Sequence, residues 1–269
     1  MAIPDTLGII AGNGVYPRLL ADSARRAGVK KIVAAAFTGE TDPALTQHVD
    51  VIEWMRVGQL SRLLKFFRDQ KIHHAIMAGQ IAPKNLFDLH PDWKALLLLG
   101  KLKQRNAQTI FAAIADELAK ASVDLLPATS FLEDSLAGPG LIAGPKLSHR
   151  EEEDVNLGWK IAKEISELDI GQTVVVKNGT IVAVEAFEGT NDAIKRGGAL
   201  ARKGAVMVKV AKPNQDMRFD VPVIGVETIR IAAEAKLRVI AIEAGKILLL
   251  EKDPIVELAS HSNISIVAR

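Results

Sequence analysis

The residues Leu7 to Gly28 read LGIIAGNGVYPRLLADSARRAG and join an apolar run, a glycine-rich turn and an amphipathic segment. The apolar run predicts a short buried strand, and Gly12 and Gly14 predict a tight turn directly after it. Pro17 lies in the first turn of the predicted helix, where proline is tolerated, and Gly28 marks the end of that helix. This stretch therefore predicts a strand, a turn and a helix in succession.

The same alternation continues through the next fifty residues. We predict strands at Lys31 to Phe37, Val49 to Trp54 and His74 to Ala78, with a helix at Leu60 to Arg68. Strands that alternate with helices are typical of a parallel, doubly wound sheet. We therefore expect an α/β protein whose N-terminal domain, residues 1–134, is Rossmann-like.

Ligands of such sheets bind at the carboxyl ends of the strands, where this sequence has Gly12-Asn13-Gly14 and Gly79. Backbone amides of a glycine turn before a helix can bind a phosphate. The dinucleotide-binding pattern G-x-G-x-x-G is incomplete, because Pro17 stands at its third glycine, and the acidic candidate Glu40 lies in a turn that is equally compatible with the surface. A nicotinamide cofactor, another anion or nucleotide, and a purely structural turn all remain open.

The composition limits the class of partner. The 269 residues include 34 basic and 32 acidic side chains spread along the chain, with a net charge of +2. Such a sequence has no concentration of basic residues of the kind that nucleic-acid binding requires. The absence of cysteine excludes disulfides and thiol catalysis. Apolar runs such as Ala95 to Leu99 are too short to span a bilayer, and no secretion signal is seen at the N-terminus. We expect a cytoplasmic protein with a small-molecule substrate.

The segment Trp93 to Lys103, WKALLLLGKLK, combines a leucine run with lysines at its edges. Such a segment is compatible with a helix that lies on a membrane surface. A helix that packs in the core or against another subunit is the interpretation we favour, because amphipathic helices of soluble proteins have the same pattern and the basic residues are few.

The second half of the chain predicts a different sheet. Residues 135–149 hold three glycines and two prolines with little periodicity, as in a linker, and we expect residues 150–269 to form the second domain. Glu151 to Glu167 predicts a long helix, and Asn178-Gly179 between two apolar runs predicts an antiparallel hairpin. We predict a second hairpin from Val239 to Leu250. The C-terminal domain is thus expected to be α/β with mixed or antiparallel strands.

Two polar loops of this half are candidates for chemistry. In the first, Val208 to Gly225, Pro213 and Pro222 exclude an ordinary helix, so its lysines, arginine and aspartates are expected on a shaped loop. That mixture suits a metal-assisted reaction on an anionic group, although a solvated loop with local ion pairs is equally compatible. The second loop, Val184 to Asp192, offers oxygen ligands for Mg²⁺ or a helix cap.

Five motifs carry a resemblance to a known family. They are IAGNG near the start, DIGQTVVV from Asp169, VEAFEGT from Val184, KPNQDMRFDVPVIG from Lys212 and EAGKILLLEK from Glu243. In this order and spacing the chain resembles, over nearly its whole length, the UDP-2,3-diacylglucosamine pyrophosphatases of the LpxI type. The resemblance implies Mg²⁺-dependent hydrolysis of UDP-2,3-diacylglucosamine to UMP and 2,3-diacylglucosamine 1-phosphate in lipid A synthesis, with the substrate enclosed between two domains.

The resemblance also implies site residues. The family's essential aspartate maps onto Asp220, and we assign catalysis to Asp220, Arg218 and Lys212. The candidate metal ligands are Asp220, Asp216 and Asp192. The candidate substrate-binding residues are Gly12, Asn13, Gly14, Gly79, Glu188, Gly189, Thr190, Asn191, Gln215 and Gly225. The family's E-G-T-D reads Glu188-Gly189-Thr190-Asn191 here, with the carboxylate one residue later at Asp192.

The expected partners follow from this substrate. We expect a nucleotide-sugar lipid, no nucleic acid, a homodimer and peripheral contact with the inner membrane. Two alternatives stay open, a nucleotide-sugar oxidoreductase that uses the first glycine turn and a non-catalytic sensor that binds a nucleotide-sugar lipid.

Overall fold

The computed structural model describes residues 3–81, 91–103, 107–213 and 215–269, with only the backbone at residue 107. The chain divides into two compact units. Unit 1 comprises Met1–Leu132 together with Asp216–Asp220, and unit 2 comprises Glu133–Gln215 and Val221–Arg269. A short piece of the second half therefore belongs to the first unit.

Unit 1 is built on a five-stranded parallel sheet in the order β3-β2-β1-β4-β5. Its strands are β1 (Thr6–Ala11), β2 (Lys31–Phe37), β3 (Val51–Met55), β4 (His74–Ala78) and β5 (Asp124–Leu125). Its helices are α1 (Tyr16–Ala27), α2 (Leu60–Asp69), α3 (Trp93–Lys101) and α4 (Ala107–Lys120), with a 3-10 helix at Pro43–Gln47. The predicted parallel sheet is confirmed.

The first strand, turn and helix form as their sequence predicts. The strand β1 is buried almost throughout, because it lies between β2 and β4 in a parallel sheet and its side chains pack against apolar residues, including those of helix α2, on the faces of the sheet. Helix α1 buries Leu20, Ala21 and Ala24 on one face, and Gly28 ends it in the left-handed conformation, with a φ of 110°. Periodicity and glycine chemistry thus determine this part of the fold.

Unit 2 contains a six-stranded mixed sheet in the order β6-β13-β11-β9-β7-β8 and a two-stranded parallel pair of β10 and β12. Its strands are β6 (Gly140–Ala143), β7 (Thr173–Lys177), β8 (Thr180–Val184), β9 (Val206–Lys209), β10 (Val223–Ile224), β11 (Val239–Ile242), β12 (Leu248–Leu249) and β13 (Ser265–Ala268). Its helices are α5 (His149–Glu167), α6 (Thr190–Ala201), α7 (Val226–Glu234) and α8 (Lys252–His261), with a 3-10 helix at Glu133–Ser135. The expected mixed α/β architecture is confirmed.

The hairpin of β7 and β8 is also confirmed. Asn178 and Gly179 have φ values of 51° and 75°, as a tight two-residue turn requires. The buried carboxylate of Asp154, on helix α5, accepts hydrogen bonds from the backbone amides of both turn residues, at 2.9 and 2.6 Å. The hairpin is therefore fixed to the helix by a buried polar contact as well as by apolar packing.

Two predictions for this half need correction. The predicted linker 135–149 contains strand β6, which pairs antiparallel with β13 and belongs to unit 2. The predicted second hairpin is wrong, because β11 already has β9 and β13 on its two sides, and β12 pairs with β10 instead. A strand that is hydrogen-bonded on both edges has no place for a hairpin partner.

The sheet of unit 2 is covered on both faces. Alternate residues of its central strands, including Val174, Val176 and Val208, pack against Val155 and other apolar residues of α5. The opposite set packs into a second apolar cluster with helices α6, α7 and α8. In the described part of the chain, no helix is long and apolar enough to cross a membrane.

Candidate functional site

The glycine turn after β1 joins the ends of β1 and β4. The amide of Gly12 donates to the carbonyl of Ala78 at 2.7 Å, and the amide of Asn13 donates to the carbonyl of Gln80 at 2.7 Å. A Cβ on Gly12 would lie 2.5 Å from the Gln80 oxygen, and one on Gly79, whose φ is 92°, would lie 2.5 Å from the Asn13 oxygen. These glycines allow two backbones to approach closely, and two of the amides proposed for anion binding are already engaged.

The end of β2 carries buried polar groups beside this turn. The sequence was equally compatible with a surface position for Glu40, but in the structure both Glu40 and Thr41 are buried. The hydroxyl of Thr41 donates to the carbonyl of Ala11 at 2.5 Å and accepts from the amide of Phe37 at 2.8 Å. It thereby joins the carboxyl ends of β1 and β2, the edge at which ligands of such sheets bind.

The turn Asp216–Asp220 belongs to unit 1 and packs on it through backbone and ring contacts. The amide of Asp220 donates to the carbonyl of Asp216 at 2.9 Å, and the carbonyl of Met217 accepts from the amide of Ala128 at 2.7 Å. The ring of Phe219 lies with its centroid 5.9 Å from that of Phe111 on α4. The turn is thus a defined structure, as the prolines that flank it predict.

Within the turn, Asp216 and Arg218 form a bidentate ion pair. The guanidinium Nε lies 3.0 Å from Oδ1, and Nη2 lies 2.7 Å from Oδ2. The Arg218 hydrogen bonds hold the pKa of Asp216 below its ordinary value, and Asp216 in turn raises the pKa of Arg218. Both carboxylate oxygens of Asp216 are therefore occupied in this state.

The carboxylate of Asp220 differs from that of Asp216. Asp220 is partly buried, and within residues 3–81, 91–103, 107–213 and 215–269 its side chain shows no hydrogen bond or ion pair. In that same part of the chain, no three acidic or histidine side chains gather as a ready cation site. Asp220 alone has an available carboxylate among the residues of this turn, which fits Mg²⁺, because that ion often takes one or two carboxylates and leaves its other positions to water and phosphate.

The preceding loop residues lie in unit 2. Lys212 forms an ion pair with Asp169, and its amide donates to Oε1 of Gln215 at 2.9 Å. The Nε2 of Gln215 is buried and has no hydrogen-bond partner among the described residues. At the start of the loop, Glu243 accepts a hydrogen bond from the amide of Ala211 at 2.8 Å, which fixes the chain at the end of β9.

A buried network at the start of α6 joins the predicted residue Thr190 to Glu185 and Lys209, which were not predicted as site residues. The hydroxyl of Thr190 donates to Oε1 of Glu185 at 2.9 Å, and Nζ of Lys209 lies 3.0 Å from the same hydroxyl. Lys209 also donates to the carbonyl of Val223 at 3.1 Å. Glu185 and Lys209 are only 6% and 5% exposed. A charged residue at the end of an otherwise apolar strand was the available signal for both, since such groups are rarely buried without partners.

The remaining predicted residues of unit 2 have other partners or lie at helix starts. Asn191 accepts a hydrogen bond from the Thr228 hydroxyl at 3.2 Å, and Glu188 is paired with Arg196. Asp192 pairs with Lys195 at 2.9 Å on the exposed first turn of α6. Gly189 and Gly225 directly precede helices α6 and α7. Unit 2 thus brings Thr190 together with Lys209 and Glu185, and among its described residues no group of three acidic or histidine side chains gathers around Asp192.

Comparison with known proteins supports the family resemblance that the five sequence motifs indicate. Residues 6–135 match the model of the LpxI N-terminal domain, and residues 138–267 match that of the LpxI C-terminal domain. The curated UDP-2,3-diacylglucosamine pyrophosphatase LpxI of Caulobacter vibrioides is 28% identical over 274 residues, which cover 97% of this chain and 96% of that protein. A biotin carboxylase domain of Hydrogenobacter thermophilus 2-oxoglutarate carboxylase aligns at 11% identity over 73% of this chain and 41% of that one, with a TM-score of 0.26. Because the two domain models follow one another over nearly the whole sequence, this chain belongs to the LpxI family.

Proposed function

We propose that the chain hydrolyses the pyrophosphate bond of UDP-2,3-diacylglucosamine, releasing UMP and 2,3-diacylglucosamine 1-phosphate in lipid A synthesis. Membership of the LpxI family and the name of the Caulobacter relative support the reaction class. The observation that carries the proposal within this chain is the turn Asp216–Asp220, where an available, partly buried carboxylate at Asp220 lies two residues from the guanidinium of Arg218.

Hydrolysis of a pyrophosphate requires cations for the phosphate oxygens and a positioned water. Arg218 uses Nε and Nη2 on Asp216, which leaves further N–H donors of the guanidinium for a phosphate. Lys212 has three ammonium donors, of which the contact with Asp169 occupies one. Both side chains are thus held by an acidic neighbour and still have donors for an anionic substrate.

Magnesium is part of this proposal, and Asp220 is the ligand that we assign to it. When bound, Mg²⁺ would neutralise charge on the oxygens of the pyrophosphate. Asp216 is a weaker candidate because Arg218 occupies both of its oxygens, and Asp192 is weaker because it is exposed and paired with Lys195. We therefore leave both of these residues out of the metal site.

The substrate-binding assignments rest on different observations. The orphaned buried Nε2 of Gln215 suits a substrate oxygen, because an unpaired buried donor is costly without a partner. The glycine turn supports a role for Gly14 more than for Gly12 and Asn13, whose amides are engaged. The assignments of Gly79, Glu188, Gly189, Thr190, Asn191 and Gly225 stay predictions.

The location and assembly follow from the substrate. A diacylated sugar nucleotide presents its head group at a membrane surface, so we propose a cytoplasmic enzyme with peripheral contact with the inner membrane. We also propose a homodimer, in keeping with the sequence expectation.

One assay tests this function. The purified full-length protein is incubated with detergent-dispersed UDP-2,3-diacylglucosamine, and the release of UMP is measured in two parallel samples. One sample contains added Mg²⁺ and the other contains a chelator. We expect UMP release that requires Mg²⁺. Substrate binding without UMP release would instead identify a sensor, and thermal stabilisation by NAD without hydrolysis would identify an oxidoreductase.

A further inference from the structure

Helix α3 exposes an apolar stripe. The side chains of Trp93, Leu96 and Leu97 are 69%, 57% and 55% exposed, and their spacing of three and four residues puts them on one face of the helix. Ala95 and Leu98 face the other way and pack into the apolar core of unit 1. The helix is therefore fixed by one face while its opposite face presents three large apolar side chains.

This exposure differs from that of other apolar residues in the described part of the chain. Leu141 and Leu200 are also exposed, but no exposed large apolar side chain lies three or four residues from either of them. Single exposed apolar residues are ordinary on protein surfaces, whereas a contiguous apolar face marks an interaction site. The stripe of α3 is therefore the stronger candidate for a partner.

The charges around the stripe are basic. Lys101 and Lys103 are exposed, and neither shows an ion pair within the described residues. The nearby carboxylate of Asp92 is engaged as the helix cap, because it accepts hydrogen bonds from the amides of Ala95 at 2.9 Å and Ser61 at 2.6 Å. Lys94 is balanced by Glu117 at 3.1 Å. The two available lysines thus give the end of the stripe a positive charge.

We infer that the stripe Trp93, Leu96 and Leu97, with Lys101 and Lys103, docks on an anionic lipid surface. Tryptophan favours the interface of a bilayer, leucines insert at the boundary of the acyl chains, and lysines are attracted by anionic head groups. A second copy of the chain is a poorer occupant, because the nearby carboxylate of this face, Asp92, is already engaged as the helix cap and is not available to pair with Lys101 or Lys103 of another copy. The helix of nine residues gives a small contact, so we expect weak, reversible binding.

The inference extends the proposed function, since a lipid substrate gives the contact a role, but it does not require hydrolysis. Its test therefore uses vesicles without substrate. Failure of vesicle binding would leave hydrolysis of detergent-dispersed substrate untouched, and absence of hydrolysis would leave the binding result valid.

The experiment is sedimentation of the full-length protein with vesicles of phosphatidylethanolamine and phosphatidylglycerol, compared with neutral phosphatidylcholine vesicles. The variant is Leu96→Ser with Leu97→Ser, and the matched control is Leu168→Ser with Leu200→Ser, whose leucines are 70% and 66% exposed elsewhere. We expect binding to the anionic vesicles only, reduced at least about fivefold in the α3 variant, retained in the control and weakened by high salt. Circular dichroism and thermal unfolding establish that both variants are folded.

A second readout is the fluorescence of Trp93, one of three tryptophans. Anionic vesicles should shift the emission of the wild type to the blue, and Trp93→Phe should abolish that shift while Trp54→Phe and Trp159→Phe retain it. Equal vesicle binding by the α3 variant and its control would overturn the inference. A fall in molecular mass in solution on Leu96→Ser with Leu97→Ser would also overturn it, because the stripe would then belong to a subunit contact.

Discussion

The Nζ of Lys209 donates a hydrogen bond to the carbonyl oxygen of Val223 at 3.1 Å, across the base of the loop that carries Asp216, Arg218 and Asp220. Lys209 ends strand β9 and Val223 begins strand β10, so the contact joins the two stems of the loop. The same ammonium reaches the hydroxyl of Thr190 at the start of α6. One buried lysine thus connects the two polar loops that resemble the LpxI motifs.

Replacing Lys209 by Met should therefore lower the kcat for UMP release by more than the accompanying loss of folding stability explains. We expect the kcat for UMP release to fall about 10-fold to 100-fold, because a misplacement of about 1 Å can have such an effect. The matched control is Lys177→Met, since Lys177 donates to the carbonyl of Gly204 at 2.9 Å on the same sheet. Either variant should lower the free energy of unfolding by about 1–3 kcal/mol. Equal losses of kcat in the two variants would argue against a positioning role for Lys209.

Replacing Asp220 by Asn should remove the negative charge and keep the size and shape of the side chain. We expect UMP release to fall by about 100-fold or more, the effect of losing one group that stabilises charge in the transition state, with substrate affinity little changed. The control is Asp69→Asn, an exposed carboxylate at the end of α2 in the same unit. Near-normal turnover by Asp220→Asn would end the proposed mechanism.

Replacing Asp192 by Ala should leave the Mg²⁺ requirement unchanged. Its carboxylate is exposed and already paired with Lys195, so we expect only a loss of that surface ion pair, which is typically worth about 0–1 kcal/mol. The measurement is UMP release as a function of Mg²⁺ concentration in the variant and the wild type. A clear rise in the Mg²⁺ concentration that gives half-maximal activity would restore Asp192 as a ligand.

Replacing Arg218 by Gln should change the titration of Asp216. The guanidinium lowers the pKa of this carboxyl, so its contribution to stability is present above the pKa of the unfolded chain and is lost as the pH falls through the lower folded value. We expect the pKa of Asp216 to rise in the variant, measured by NMR titration of side-chain carboxyl carbons. Arg62→Gln, which removes the pair with Glu53, is the control and should leave Asp216 unchanged. The difference in unfolding free energy between wild type and Arg218→Gln should disappear in acid.

Replacing Gly12 by Ala should destabilise unit 1 strongly. The added Cβ would lie 2.5 Å from the backbone oxygen of Gln80, which cannot move aside as a side chain can, and we expect a loss of about 3 kcal/mol. In the control, Gly14→Ala, the φ of 87° is strained but no atom lies within 4 Å, so a loss of about 1–2 kcal/mol is expected. Urea unfolding compares the two, and a larger loss for Gly14→Ala would contradict this account of the turn.

Local patterns predict much of the fold. The apolar run and glycines of Leu7 to Gly28 determine β1, its turn and α1, and Asn178-Gly179 determines the hairpin of β7 and β8. Helix α8 and strand β13 were missed. The false hairpin from Val239 to Leu250 has a clear origin, since a glycine between apolar runs indicates a turn but does not identify which strands pair.

Some properties of the candidate site also follow from the sequence, and others follow only from the folded chain. The sequence by itself determined the residue types that chemistry requires, the prolines that exclude a helix around Asp220, and the family motifs in their order. The ion pair of Asp216 with Arg218 is local in sequence, as a loop with local ion pairs allows. Only the tertiary structure decided that Asp220 is available and that Lys209 is buried with Glu185 and Thr190. The physical reason is that periodicity reports which face of an element is apolar, whereas the partner of a buried charge depends on residues that are distant in sequence and meet only in the folded chain.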